Sequence, residues 1–164
     1  MEWITAGVAL GLGATVFMDL WEWGEARACG WPRRDYALLG RWVLRMRLGV
    51  FSYGMAGGIG AAPVQQGEAA LGQVLHYLVG AVFGITFLAL VGPGWLAAPT
   101  MGAAWGFGAV TVLMPFAAMQ PAFGLGFAAA RTPKPGFARL RSLIGHVSFG
   151  LGLWIAAALW HVLM

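Results

Sequence analysis

Residues 69–91 read AALGQVLHYLVGAVFGITFLALV, 23 residues without one Asp, Glu, Lys or Arg. An α-helix needs about 20 consecutive apolar residues to cross the hydrocarbon core of a bilayer. The stretch therefore predicts a transmembrane helix, and it sets the solvent in which the rest of the chain is read. Stretches at about 3–22, 99–119 and 142–163 meet the same condition. The expected fold is an all-α membrane protein, a four-transmembrane-helix bundle forming one integral membrane domain over residues 1–164.

Composition agrees with this. The chain has 164 residues, 60% hydrophobic and 10% charged, where soluble domains carry about 25% charged residues. Its 26 glycines suit helices that approach closely inside a membrane. The net charge is +4, yet the Lys and Arg residues fall in two blocks between apolar spans, which excludes a nucleic-acid-binding face. A single cysteine, Cys29, excludes an internal disulfide. The N-terminal apolar run is preceded by Glu2 and by no Lys or Arg, so it is read as a retained span, not a cleaved signal.

The placement of positive charge gives an orientation. Arg27, Arg33, Arg34, Arg41, Arg45 and Arg47 lie in the first connection, residues 24–68, and Arg131, Lys134, Arg139 and Arg141 in the third, residues 120–141. These ten are all the Lys and Arg residues of the chain. Basic connections stay cytoplasmic, so both termini and the connection GPGWLAA are expected outside. Seven of the nine tryptophans fall into two belts, Trp3, Trp95 and Trp160 outward and Trp21, Trp23, Trp31 and Trp42 inward, as amphipathic rings do at headgroup level.

Within the first connection, DYALLGRWVLRMRLGVF predicts a short helix capped by Asp35. Leu38, Leu39, Trp42, Val43 and Met46 share one face, with Arg41 and Arg45 opposite. An interfacial amphipathic helix in the membrane plane would put Arg41 and Arg45 on lipid phosphates; packing beneath the bundle is the other arrangement. SYGMAGGIGAAPVQQG reads as flexible or tightly turned backbone. Around the start of the third connection, Pro115 and Pro121 are expected to break an apolar stretch too long for one span, leaving GLGF as a bent helix or a re-entrant piece.

Polar residues recur at helical spacing. Gly11, Thr15, Asp19 and Glu22 share a face of the first span, Glu68, Gly72, His76, Gly80 and Gly84 a face of the second, and Ser142, His146 and Gly150 a face of the fourth. Small residues on such a stripe mark a helix–helix contact. Counted from the basic ends of the spans, Asp19, His76, Gln120 and His146 fall in one layer of the inner half, whereas Glu22 is expected at the headgroups and His161 at the outer interface. An ionisable group at that depth is a functional candidate by default.

The residues leave several chemistries open. Asp19, His76 and His146 suit a divalent metal such as zinc, or a proton relay beside a carboxylate. Two histidines on different helices suit a haem. Arg131 or Arg141 would set the protonation of Asp19, and Gln120 would satisfy a carbonyl freed by the neighbouring proline. Structural pairing between helices accounts for the same residues without any ligand. No cofactor is specified by a motif.

GLGATVFMDLW, DYALLGRW and MQPAFGLGFAAARTPKPGFARLRSLIGHVSFGLGLW resemble a family of small bacterial integral membrane proteins catalogued as a domain of unknown function. R-T-P-x-P and S-L-x-x-H-x-x-F-G-L-G-L are its distinctive stretches, and Asp19, Arg41, Gln120, Arg131 and His146 fall inside the motifs. The resemblance implies a four-span protein of the bacterial inner membrane and supplies no activity. The leading expectation is a polytopic protein with a buried polar site that binds or translocates a small ligand, cation or proton, in contact with the lipid bilayer and acting as a homo-oligomer or in a larger complex. An accessory subunit and a haem-binding redox protein are the alternatives; an enzyme ranks last, because no nucleophile or acid–base pair assembles.

Overall fold

The computed structural model describes residues 2–54 and 57–163, the side chains of 161–163 excepted, so His161 and residues 55–56 lie outside the described set. The described residues contain no strand. Five helices carry the fold: α1 Glu2–Cys29, α2 Ala37–Met46, α3 Glu68–Val91, α4 Met101–Ala122 and α5 Pro135–Leu163. All but α2 are long and apolar enough to cross a membrane.

The helices run past the apolar windows that predict them. α1 continues to Cys29 because Trp21-Glu22-Trp23 and Glu25-Ala26-Arg27 contain nothing that breaks a helix; Gly30, at φ 66°, then takes the left-handed conformation that closes a helix C-terminus. α5 starts at Pro135, well before the apolar run, since a proline in the first turn costs no hydrogen bond. In α4, Pro115 does not break the helix. It widens one turn to π geometry over Pro115–Met119, and the helix ends at Ala122, just beyond Pro121.

The chain forms two compact units. The first comprises Met1–Arg33, Tyr77–Thr111 and Ile144–Met164, the second Arg34–His76 and Val112–Leu143.

In the first unit, segments of α1, α3, α4 and α5 pack as a four-helix bundle. Ala6, Leu10, Ala14 and Met18, every fourth residue of α1, meet Phe87 and Leu88, Ala104, and Phe149, Leu153 and Ala157 in its core. Phe83, Phe87, Phe107 and Phe149 interlock through tilted and edge-on ring contacts, with Trp95 edge-on against Phe87. Lipid is as apolar as leucine, so helix association in a membrane depends on close packing by small residues. Gly7 and Gly11 of α1 face Ile85, Gly80 and Gly84 of α3, and Gly108 of α4 faces Gly150 of α5, at distances that leave no room for a Cβ. The stripe of glycines predicted on α3 is thus a packing face. Val16, Leu20, Leu78, Val82, Leu90, Val110 and Leu159 are exposed, an apolar exterior suited to acyl chains.

The second unit is held by polar contacts and turns. The Asp35 carboxylate accepts a hydrogen bond from the Ala37 amide at 3.0 Å, as its place before α2 predicts. Gly40 of α2 packs on the Glu68 carbonyl, and Gly72 of α3 on that of Tyr36. The turned segment after α2 docks on the end of α4: the Tyr53 and Ile59 amides donate to the Ala122 and Phe123 carbonyls at 2.8 and 3.1 Å. Trp42 lies edge-on against Phe123 and donates to the Phe51 carbonyl.

Residues 123–131 are not a bent helix but a compact sequence of turns. Leu125 donates back to the Gln120 carbonyl and Arg131 to that of Leu125. Ala128 and Ala129 sit at φ 47° and 58°, a region costing an L-residue about 1–2 kcal/mol. Two side chains hold them there: Arg139 Nε donates to the Ala128 carbonyl and Thr132 Oγ1 to that of Ala129, each at 2.8 Å.

Candidate functional site

Asp19, His76, Gln120 and His146 are each set against a partner from another segment. In the first unit, Asp19 is half-buried on α1, and the Tyr77 hydroxyl of α3 donates to its Oδ2 at 3.0 Å. The two line a groove of about 350 Å³ together with Val16, Leu20, Trp23 and Arg33. Val16, Leu20 and Trp23 give it a mainly apolar lining, to which Asp19 and Tyr77 add polar groups and the exposed Arg33 one positive charge. Glu22, three residues on, is only 2% exposed and is buried within the protein. Trp21 and Trp23 on either side of it are exposed.

His146 of α5 meets Thr111 of α4, Nδ1 to Oγ1, at 2.8 Å. Thr111 Oγ1 also lies 2.6 Å from the Gly108 carbonyl. A hydroxyl has one proton, and the carbonyl can only accept. The proton goes to Gly108, so His146 Nδ1 is the donor to Thr111, and in the neutral ring Nε2 carries the lone pair.

In the second unit, the His76 ring stacks on Tyr36, centroids 3.9 Å apart and planes 19° apart. Gln120 is 8% exposed; its Nε2 donates to Ser142 Oγ at 3.3 Å, and its Oε1 has no hydrogen-bond partner among the described residues. Arg141 is half-buried with its guanidinium over the Phe137 ring, and Arg34 donates to the Arg141 carbonyl at 2.7 Å. Arg131 is exposed, its aliphatic stem laid along Gly126. Among the described residues no three His, Cys, Asp or Glu side chains are grouped to hold a metal ion.

The expected contact of Arg41 with lipid phosphate is overturned. Arg41 is 7% exposed and forks onto Glu68, Nε to Oε2 at 2.8 Å and NH2 to Oε1 at 2.6 Å. Its NH1 donates to the Ile59 and Ala62 carbonyls. α2 thus buries Gly40 and Arg41 most deeply, while its leucines are half-buried. Hydrogen bonding to Glu68, opposed by burial, raises the Arg41 pKa above its ordinary value. Arg45, also expected at phosphate, is half-buried, and its Nε has no hydrogen-bond partner among the described residues.

Tyr77, Thr111 and Arg33 are the groups that sequence reasoning passed over. A signal existed for the first two: Tyr77 lies three residues before Gly80, and Thr111 three after Gly108, each on the packing side of its helix. Arg33 carries no periodic signal. No curated protein and no solved structure matches the chain. The family described as "Protein of unknown function (DUF2938)" matches residues 8–160, nearly the whole length, and the chain is a membrane protein that belongs to that family.

Proposed function

We propose that the chain is a polytopic inner-membrane protein that binds a small ligand through a positively charged group seated on Asp19. The observation that carries this reading is the groove itself: a half-buried carboxylate, hydrogen-bonded by the Tyr77 hydroxyl, in a lining that is mainly apolar. A carboxylate inside an apolar helix is costly by about 2.5–3.5 kcal/mol on insertion scales, which makes it a functional candidate by default.

The test is binding of a lipophilic cation, tetraphenylphosphonium, and of a long-chain primary amine to the purified protein, followed by equilibrium dialysis. Asp19→Asn is expected to abolish binding of both. Tyr77→Phe removes one hydrogen bond to a charged group and is expected to weaken binding by about tenfold. Equal binding by wild type and D19N overturns the reading.

The orientation belongs to the same proposal: basic connections in the cytoplasm, both termini outside. Cys29, the single cysteine, is exposed at the end of α1 and reports on it directly. A membrane-impermeant maleimide is expected to label it in inside-out vesicles and not in intact spheroplasts. Labelling in spheroplasts reverses the orientation.

A further inference from the structure

We infer that the second unit docks on the bilayer surface and selects phospholipids whose headgroup carries a net negative charge. The surface is separate from the Asp19 groove and stands without it, since it is built entirely from residues of the second unit.

Charge is divided unequally between the units. The second holds eight of the ten Lys and Arg residues but two of the six acids, Asp35 and Glu68. Glu68 is taken up by Arg41, and Asp35 accepts from the Ala37 amide at the head of α2. Arg47, Arg131 and Lys134 are exposed, and none is paired with an acid among the described residues. The unit thus carries a surplus of positive charge that its own acids do not answer. The phosphate contact that the sequence assigns to Arg41 falls to these three instead.

Apolar side chains stand beside the charges. Leu48, next to Arg47, is 66% exposed, Phe51 63% and Phe127 65%. The two stretches that carry them adjoin: the Tyr53 amide donates to the Ala122 carbonyl, and Gly124 lies against the Tyr53 and Gly54 carbonyls too closely to admit a Cβ. The Arg131 amide donates to the Leu125 carbonyl at 2.8 Å and its stem runs along Gly126, so Arg131 and Phe127 belong to one fixed turn. Apolar rings interleaved with cations are the pattern of an interfacial segment, whose rings enter the acyl boundary while the charged heads stay at phosphate.

Position along the chain says which anion is met. α4 is long and apolar enough to cross a membrane and ends at Ala122; α5, the next such helix, begins at Pro135. Residues 123–134 join two spans by turns and carry Arg131 and Lys134, so they stay where the hydrocarbon ends. Leu48 and Phe51 are tied to the same level by the Tyr53–Ala122 bond. Headgroups therefore reach this surface before any soluble polyanion. A zwitterionic headgroup brings a cation of its own to the three charges; an anionic one does not.

Native mass spectrometry of the full chain with equimolar phosphatidylglycerol and phosphatidylcholine of matched acyl chains tests this. Wild type is expected to retain the glycerol lipid over the choline lipid by about fivefold, the effect of one cation beside an anionic surface. The triple variant Arg47→Gln, Arg131→Gln and Lys134→Gln is expected to bring the two lipids to equal retention. Phe51→Ser with Phe127→Ser is expected to lower retention of both and keep their ratio. Melting of the wild type in nanodiscs of each lipid is expected to give the same order without any variant, with a gap that narrows in added salt. Equal retention of the two lipids by wild type overturns the inference, as does an unchanged preference in the triple variant. If wild type retains the lipids equally but binds polyglutamate, the surface serves an acidic protein and the membrane assignment fails.

Discussion

Glu68→Ala is expected to lower the stability of the folded chain by about 3 kcal/mol, the lower end of the cost of breaking a buried ion pair. The lower end applies because Gly67 and Ala69 beside Glu68 are exposed, so the clasp lies near the edge of its unit. Three losses combine in this one substitution. The Arg41 fork loses both of its carboxylate contacts. Its NH1 contacts to Ile59 and Ala62 remain and hold the guanidinium in a site where its charge has no counter-ion. The Gln65 amide, which donates to Glu68 Oε2 at 2.7 Å, is left without the reach-back acceptor that opens α3. Arg41→Lys keeps the charge but not the planar fork, and it is expected to fall between wild type and E68A. The double variant Arg41→Met with Glu68→Leu is expected to recover most of the loss, since an apolar pair of similar volume replaces a desolvated one. Thermal unfolding of the four proteins in one detergent measures the order. An E68A melting curve that overlays wild type removes the clasp from the fold.

That clasp shows where the sequence stops being readable. Residues 41 and 68 are 27 positions apart, and no period connects them. Arg41 was legible as part of a basic face and Glu68 as the head of a small-residue stripe; only the fold joins the two. The four apolar helices were legible because lipid imposes one condition, length of apolar run, on every span. The same condition hides helix ends. Hydropathy reports where the chain leaves the hydrocarbon, while hydrogen bonding reports where the helix ends, and α1 and α5 continue beyond their apolar windows as polar helix. Residues 123–131 were opaque for a further reason: a left-handed Ala128–Ala129 pair is set by donors from Thr132 and Arg139, not by any turn-forming residue of its own. At the candidate site the acid and the imidazoles could be read from cost alone, since charge in an apolar helix stands out. Their partners could not: a tyrosine or threonine in a span looks ordinary until a second helix is laid against it.

The largest effect is expected from Gly11→Leu. A side chain grown there meets the Gly80 carbonyl first, then the Cα of Ala81, all backbone atoms that no rotamer can move. From the other helix, a Cβ on Gly84 would meet the Gly7 carbonyl and the Gly11 backbone, so the approach of α1 and α3 is fixed from both sides. Thr15, 1% exposed, donates to the Gly11 carbonyl at 2.8 Å on the same face, and a Cβ on Gly80 would overlap its Oγ1. Overpacking a core that can shift side chains costs about 1–3 kcal/mol. Here the helices themselves must separate, and the dispersion contacts that hold them in lipid are lost together. G11L is therefore expected to exceed that range and to leave little folded protein after extraction. Gly106→Leu is the control. It adds the same side chain to another span, at an exposed glycine with nothing within 4 Å of the new Cβ, and is expected to melt with wild type. The comparison separates close packing from the mere presence of glycine in a membrane helix. If G11L melts with G106L, α1 and α3 do not approach as closely as these contacts require, and the orientation of Tyr77 toward Asp19 loses its scaffold.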